Sequence, residues 1–271
     1  MMFCKTIHSP RIYRMNRLQF GPLAMMEMAT NEIPSTQTNS ANTDSANIAT
    51  ANQWGTSQNP QLSAARPNHR LFIPAGYERN YAYPLLVYLH DAQQDAGQLH
   101  RLMPQISLQN YVGCAFTSPS QLKHRQAWQQ HDTMIHASLD ALAQTIKNAQ
   151  SRLNINQRKI FLVGSGLGGC MAMRLAFLCQ ERIAGVISLN GELPNTGPWL
   201  SRLKVARQIP ILLAHYRNSR NFSEQRLCEN LILLHSAGFS VTMRQYPCDD
   251  VGCEQVFRDV NRWLMESVTS E

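Results

Sequence analysis

From about residue 66 to the end, short apolar runs alternate with longer amphipathic ones. The apolar runs predict strands over 70–73, 85–89, 112–117, 160–163, 185–189, 210–214 and 240–246. Helices are expected over 95–103, 132–150, 167–180, 223–236 and 253–266. Within 132–150, Ile135, Leu139, Leu142 and Ile146 recur at helical spacing and so share one face. Val256, Val260, Trp263 and Leu264 form a similar stripe near the end. Strands alternating with helices imply an α/β fold, a mostly parallel sheet with helices on both faces. Right-handed crossovers then place the functional loops at the carboxyl ends of the strands.

The preceding 65 residues have another pattern. In 31–64, 20 of the 34 residues are Asn, Gln, Ser or Thr, and Ile33, Ile48, Trp54 and Leu62 are the large apolar ones. Such a segment buries too little surface to offset its ordering entropy, so it reads as a disordered linker. Residues 1–30 form a separate N-terminal segment, in which 16–28 read either as a short strand or as a stretch folded back on the domain. The organisation expected is therefore 1–30, the linker 31–64, and one domain over 65–271.

The most informative stretch is 160–175, IFLVGSGLGGCMAMRL. An apolar strand enters a glycine cluster and passes straight into a helix. One motif of this form is the nucleophile elbow G-x-S-x-G, whose sharp turn exposes a catalytic serine. Its five positions are Gly164, Ser165, Gly166, Leu167 and Gly168, so the serine position holds Gly166. Ser165 stands one place early and should point elsewhere. A competing motif is the dinucleotide fingerprint G-x-G-x-x-G, met by Gly164, Gly166 and Gly169. That fingerprint belongs in the first βαβ unit, whereas three predicted strands precede this one.

Composition narrows the function classes. The chain has 271 residues, a net charge of +7 and only 16% charged residues. Its basic residues are scattered. Arg202, Lys204 and Arg207 make one loose group, and Arg217, Arg220 and Arg226 another. Neither has the interleaved stacking groups of a nucleic-acid face, so nucleic acid is not an expected partner. The partner expected is a small molecule or protein of unknown identity. Seven cysteines without a C-x-x-C pair suggest neither a disulfide framework nor a zinc site. His131 and His136 stand five apart, a poor spacing for two ligands on one helix face, and His124 adds no better one. No metal and no cofactor are expected. No run approaches the ~18 apolar residues of a spanning helix. With no clear signal peptide either, a cytoplasmic, reducing compartment is expected.

With these residues in view, the chain resembles the phospholipase/carboxylesterase branch of the α/β hydrolases, which includes acyl-protein thioesterases. The resemblance runs from about Leu71 to Leu264. KIFLVGSGLGGCMAMRLA resembles the family's strand–elbow–helix block, and the family-like ERIAGVISLNGELP comes directly after it. LLVYLHDAQQD resembles the strand and loop that begin the oxyanion hole, with Asp91 in place of the glycine after His90. PILLAH resembles the strand that leads to the acid, and TMRQYPCDD the strand and loop that present the histidine. Trp128 resembles an aromatic lining the family's pocket, or else is a packed loop tryptophan.

The resemblance implies an ester hydrolase that needs a nucleophile, a base and an acid to orient the base. The nucleophile position matches Gly166, the acid position Ser219 and the histidine position Asp250, and no histidine occurs beyond His235. All three are non-catalytic by type. The reading favoured is a hydrolase fold without hydrolase chemistry, serving as a binding or regulatory module, with a candidate cleft of His90, Asp91, Trp128, Leu167, His215 and Asp249. The alternative is an ester hydrolase with non-standard machinery built on Asp91, Asp249, Asp250 and His215, with Asp95 nearby. A third reading is a dinucleotide-binding protein. Cys170, four residues past the elbow position, should face the core.

Overall fold

A computed structural model of the chain describes residues 12–13, 69–92, 94–119, 128–129, 131–179, 182–194, 203–219, 222–248 and 253–269. The strands are β1 (Ile12–Tyr13), β2 (His69–Phe72), β3 (Tyr83–Leu89), β4 (Val112–Phe116), β5 (Ile155–Ser165), β6 (Gly185–Leu189), β7 (Ile211–Tyr216) and β8 (Val241–Tyr246). The helices are α1 (Leu99–Ile106), α2 (Asp132–Gln150), α3 (Leu167–Leu178), α4 (Leu203–Ala206), α5 (Glu224–Ser236) and α6 (Glu254–Thr269), with a 3-10 turn over Ala96–Gln98 before α1.

The strands form one sheet in the order β1-β8-β7-β6-β5-β3-β4-β2. Strands β3 to β8 pair in parallel, while the edge strands β2 and β1 run antiparallel to β4 and β8. This is the mostly parallel sheet expected from the alternation of strands and helices.

Period-two alternation divides each central strand between two cores. Leu85, Val87 and Leu89 of β3, with Ile160 and Leu162 of β5, join α2, α3 and Leu234 of α5 on one face. Leu86, Tyr88, Phe161 and Val163 face the other side, under α1 and α6. Both faces are covered, so every residue of β3 is buried. Helix α3 is buried from Gly168 to Phe177, which accounts for a sequence apolar on all sides rather than along one stripe.

Three departures from the expected elements have local causes. The helix expected over 95–103 divides into the 3-10 turn and α1, which runs through Pro104 to bury Ile106. Strand β5 starts at Ile155, five residues early, because Ile155 pairs with Tyr83 across a register irregularity. The short N-terminal strand lies at 12–13, where Ile12 pairs with Arg244 and Tyr13 with Met243, and not within 16–28, which lie outside the described residues. The segment 31–64 also lies outside them.

An ion pair is buried between β8 and α6. Arg244 of β8 meets Asp259 of α6, both nearly sealed from solvent. The hydroxyl of Tyr246 donates to Asp259 Oδ2 at 3.1 Å. Burial of such a pair is weak evidence for net stability, but it fixes the last helix against its strand.

Candidate functional site

The site begins where β5 turns into α3. Gly166 takes φ +51° and ψ −120°, a backbone conformation that side chains other than hydrogen rarely adopt. Its N–H donates to Leu189 O at 2.9 Å, and its carbonyl accepts from Gly169 and Cys170. The surrounding glycines let the helix lie close to the strands. A Cβ on Gly168 would come within 2.3 Å of the carbonyl oxygens of Leu89 and His90, and one on Gly164 within 2.2 Å of Gly168 O. A Cβ on Gly169 would press on the Ser188 hydroxyl at 2.6 Å. The glycines that match the dinucleotide spacing are thus accounted for by helix–sheet contact within an elbow.

Asp91 lies against this turn. Its Oδ1 accepts the Leu167 N–H at 3.1 Å and the Ala92 N–H at 2.7 Å. A Cβ built on Gly166 would fall 2.3 Å from Oδ1 and 2.4 Å from Oδ2. The carboxylate therefore fills the volume that a side chain at 166 would occupy. It also accepts from the N–H of the residue after the nucleophile position, the usual first donor of an oxyanion hole. The Leu167 side chain is 43% exposed, and Asp91 is half-buried.

His90, Trp128 and His215, expected in the cleft, are instead enclosed by protein. His90 is fully buried; its Nδ1 donates to Asp91 O at 2.7 Å while Nε2 accepts from the Ser118 N–H at 3.1 Å. Burial holds its pKa below the ordinary 6.5, and the backbone bond and nearby Asp95 and Asp91 only partly oppose this. Trp128 donates its Nε1–H to His90 O at 2.7 Å and packs edge-on to Phe116. It is 2% exposed, so it offers a ligand almost no surface. His215, 1% exposed, donates from Nε2 to Phe222 O at 3.0 Å and lies edge-on to the Phe222 ring. These polar rings turn inward because each finds a backbone partner there, which burial demands.

Ser219, expected at the acid position, is held by its neighbours. Its Oγ accepts from Asn190 Nδ2 at 2.7 Å and from the Phe222 N–H at 3.1 Å. Asn190 adopts φ +56°, a conformation its short polar side chain tolerates, and its Oδ1 accepts from the Tyr216 N–H at 3.3 Å. Asn190 ties the end of β6 to the loop after β7, a role that sequence reading did not assign; an asparagine directly after an apolar strand is the available signal.

Ser165 is buried and accepts from the Tyr88 hydroxyl at 3.3 Å; burial raises that phenol to about 12. Cys170 is buried in the helix. Asp95 caps the 3-10 turn by accepting from the Gly97 N–H at 2.7 Å. Arg174, also passed over in the sequence, is 2% exposed on α3, and burial lowers its pKa. Its signal is a lone cation inside an apolar helix.

Asp249, Asp250 and His124 lie outside the described residues. Among the described residues no group of three or more His, Cys, Asp or Glu is placed to hold a metal ion. No helix among them is long and apolar enough to cross a membrane. Of the two basic groups, Arg217 lies 4.0 Å from Glu224 and Arg226 3.8 Å from Glu192, both on the surface. Arg202 and Arg220 lie outside the described residues.

Residues 118–267 match the family model described as Phospholipase/Carboxylesterase. The chain belongs to the phospholipase/carboxylesterase family. Solved structures share its fold. A carboxylesterase from Mesorhizobium loti is 19% identical, with 76% of this chain and 98% of that chain covered at a TM-score of 0.61. The Bacillus cereus carboxylesterase is 15% identical, covering 76% and 96%, with a TM-score of 0.59. Acyl-protein thioesterase 2 of Zea mays is 17% identical, covering 74% and 99%, at 0.57. Within the phospholipase/carboxylesterase family the β5–α3 turn is the elbow, and the ends of β7 and β8 are where acid and histidine are expected. The residues expected at the first two of those positions are Gly166 and Ser219.

Proposed function

We propose that this member of the phospholipase/carboxylesterase family does not hydrolyse esters and acts instead as a binding or regulatory module on a retained hydrolase fold. The observation that carries the reading is the elbow: its strained turn is kept, but at Gly166 it presents no side chain. Acyl transfer by this mechanism needs a nucleophile with a base in hydrogen-bond reach, and an acid that orients the base. Ser219, at the acid position, is a hydroxyl engaged with Asn190 and Phe222 and carries no charge to stabilise an imidazolium. His90 is fully buried with its accepting Nε2 taken by the Ser118 N–H, and His215 is 1% exposed with its ring enclosed beside Phe222, so neither offers a base at the elbow.

Hydrolysis of short p-nitrophenyl esters tests the reading. No saturable turnover is expected from the purified chain. Saturable turnover that survives replacement of Asp249 and Asp250 by alanine would overturn it. Turnover lost on replacing either acid would instead support an ester hydrolase with non-standard machinery.

A further inference from the structure

Helix α3 begins without a cap of its own. Gly166 has no side chain to accept from the first turn, and that turn contains no acidic residue. A 12-residue helix buried on all sides still leaves orphan N–H groups and a partial positive charge at its start. Asp91 supplies what is missing, from a loop 76 residues before Leu167 in sequence. One carboxylate oxygen gathers an N–H from each of the two segments that build an oxyanion hole, Leu167 at the helix start and Ala92 in the loop after β3. The same carboxylate occupies the volume in front of Gly166.

We propose that Asp91 is the resident ligand of the oxyanion hole, an intramolecular carboxylate that closes the elbow to acyl groups. Loss of the side chain at 166 and gain of a carboxylate at 91 are then two halves of one change, because a Cβ at 166 and the carboxylate at 91 compete for the same space. The donors at the helix start are already satisfied by the chain itself. An ester or thioester carbonyl, or a free carboxylate, can reach them only by displacing Asp91.

This inference rests on the reading of the elbow as lacking a nucleophile, but its test is separate from the ester assay. In the full chain, Gly166→Cys places a thiol in the disputed volume, and its alkylation by iodoacetamide is tracked peptide by peptide. The introduced thiol is expected to react at least tenfold faster in the Asp91→Gly/Gly166→Cys double variant than in G166C, because a helix N-terminus promotes the thiolate and the carboxylate opposes it. Equal rates in the two backgrounds would overturn the proposal. Should G166C alone fail to fold, acetate titration decides the matter through the backbone amide resonance of Leu167. A saturable shift in D91G that is absent from the wild-type chain is expected; the same response in both, or none in D91G, overturns the proposal. Ester turnover by the wild-type chain would remove the functional reading without altering these comparisons.

Discussion

On the function proposed above, the ends of β5 and β7 each lack a residue type that ester hydrolysis requires, and the two ends differ in kind. At β5 the strained turn is retained while the space beyond Gly166 has been taken by a charge from another loop. At β7 the replacement, Ser219, is a small polar residue whose oxygen accepts from Asn190 and Phe222, as a carboxylate oxygen also could. The first volume is filled by a side chain from a distant loop; the second residue is held by hydrogen bonds to its neighbours. Restoring the hydrolase residue should therefore be costly at one end and tolerated at the other.

Gly166→Ser is expected to have the largest effect, about 3 kcal/mol of lost stability in urea unfolding, from positive-φ strain and crowding against Asp91. A loss below about 1 kcal/mol would mean that the elbow is not refilled and would erase the contrast. At β7 the expected effects are smaller. Ser219→Ala leaves the Asn190 amide and the Phe222 N–H short of an acceptor, for about 1–2 kcal/mol. Ser219→Asp offers both an acceptor again and should fall within about 0.5 kcal/mol of wild type in the same measurement. A penalty for Ser219→Asp equal to that for Gly166→Ser would show that both ends are closed to the old chemistry.

A pH dependence adjoins the elbow alone. His90 is held neutral inside the fold, with a folded pKa below 6.5, whereas the unfolded chain protonates near that value. Below pH 6.5 the unfolded state binds more protons, so stability should fall as pH drops, by no more than about 1.4 kcal/mol per unit from this group. Urea midpoints at about pH 7.5 and 5.5, on either side of the ordinary histidine pKa, measure the fall, and His90→Gln should reduce it. An unchanged fall in that variant would place its origin elsewhere.

The residue pattern was enough for the architecture. Periodicity located the seven main strands and five main helices, since each reports which face a local segment buries. The four-residue α4 carried no period to read. Residue identity alone carries the expectation that Gly166 and Ser219, at the positions the resemblance assigns to nucleophile and acid, lack the groups that chemistry needs, because a missing functional group is a local property.

What the tertiary structure decided is where the remaining polar side chains point. His90, Trp128 and His215 stand at strand ends or in loops and were expected in a cleft, yet each turns inward to a backbone partner supplied by another segment or a later residue. Asp91 looked in sequence like a defect beside the strand histidine; in three dimensions its carboxylate fills the volume in front of Gly166 and binds the start of α3. The two residues are remote in the chain, and only the close approach that Gly168 permits between α3 and the end of β3 brings them into one volume.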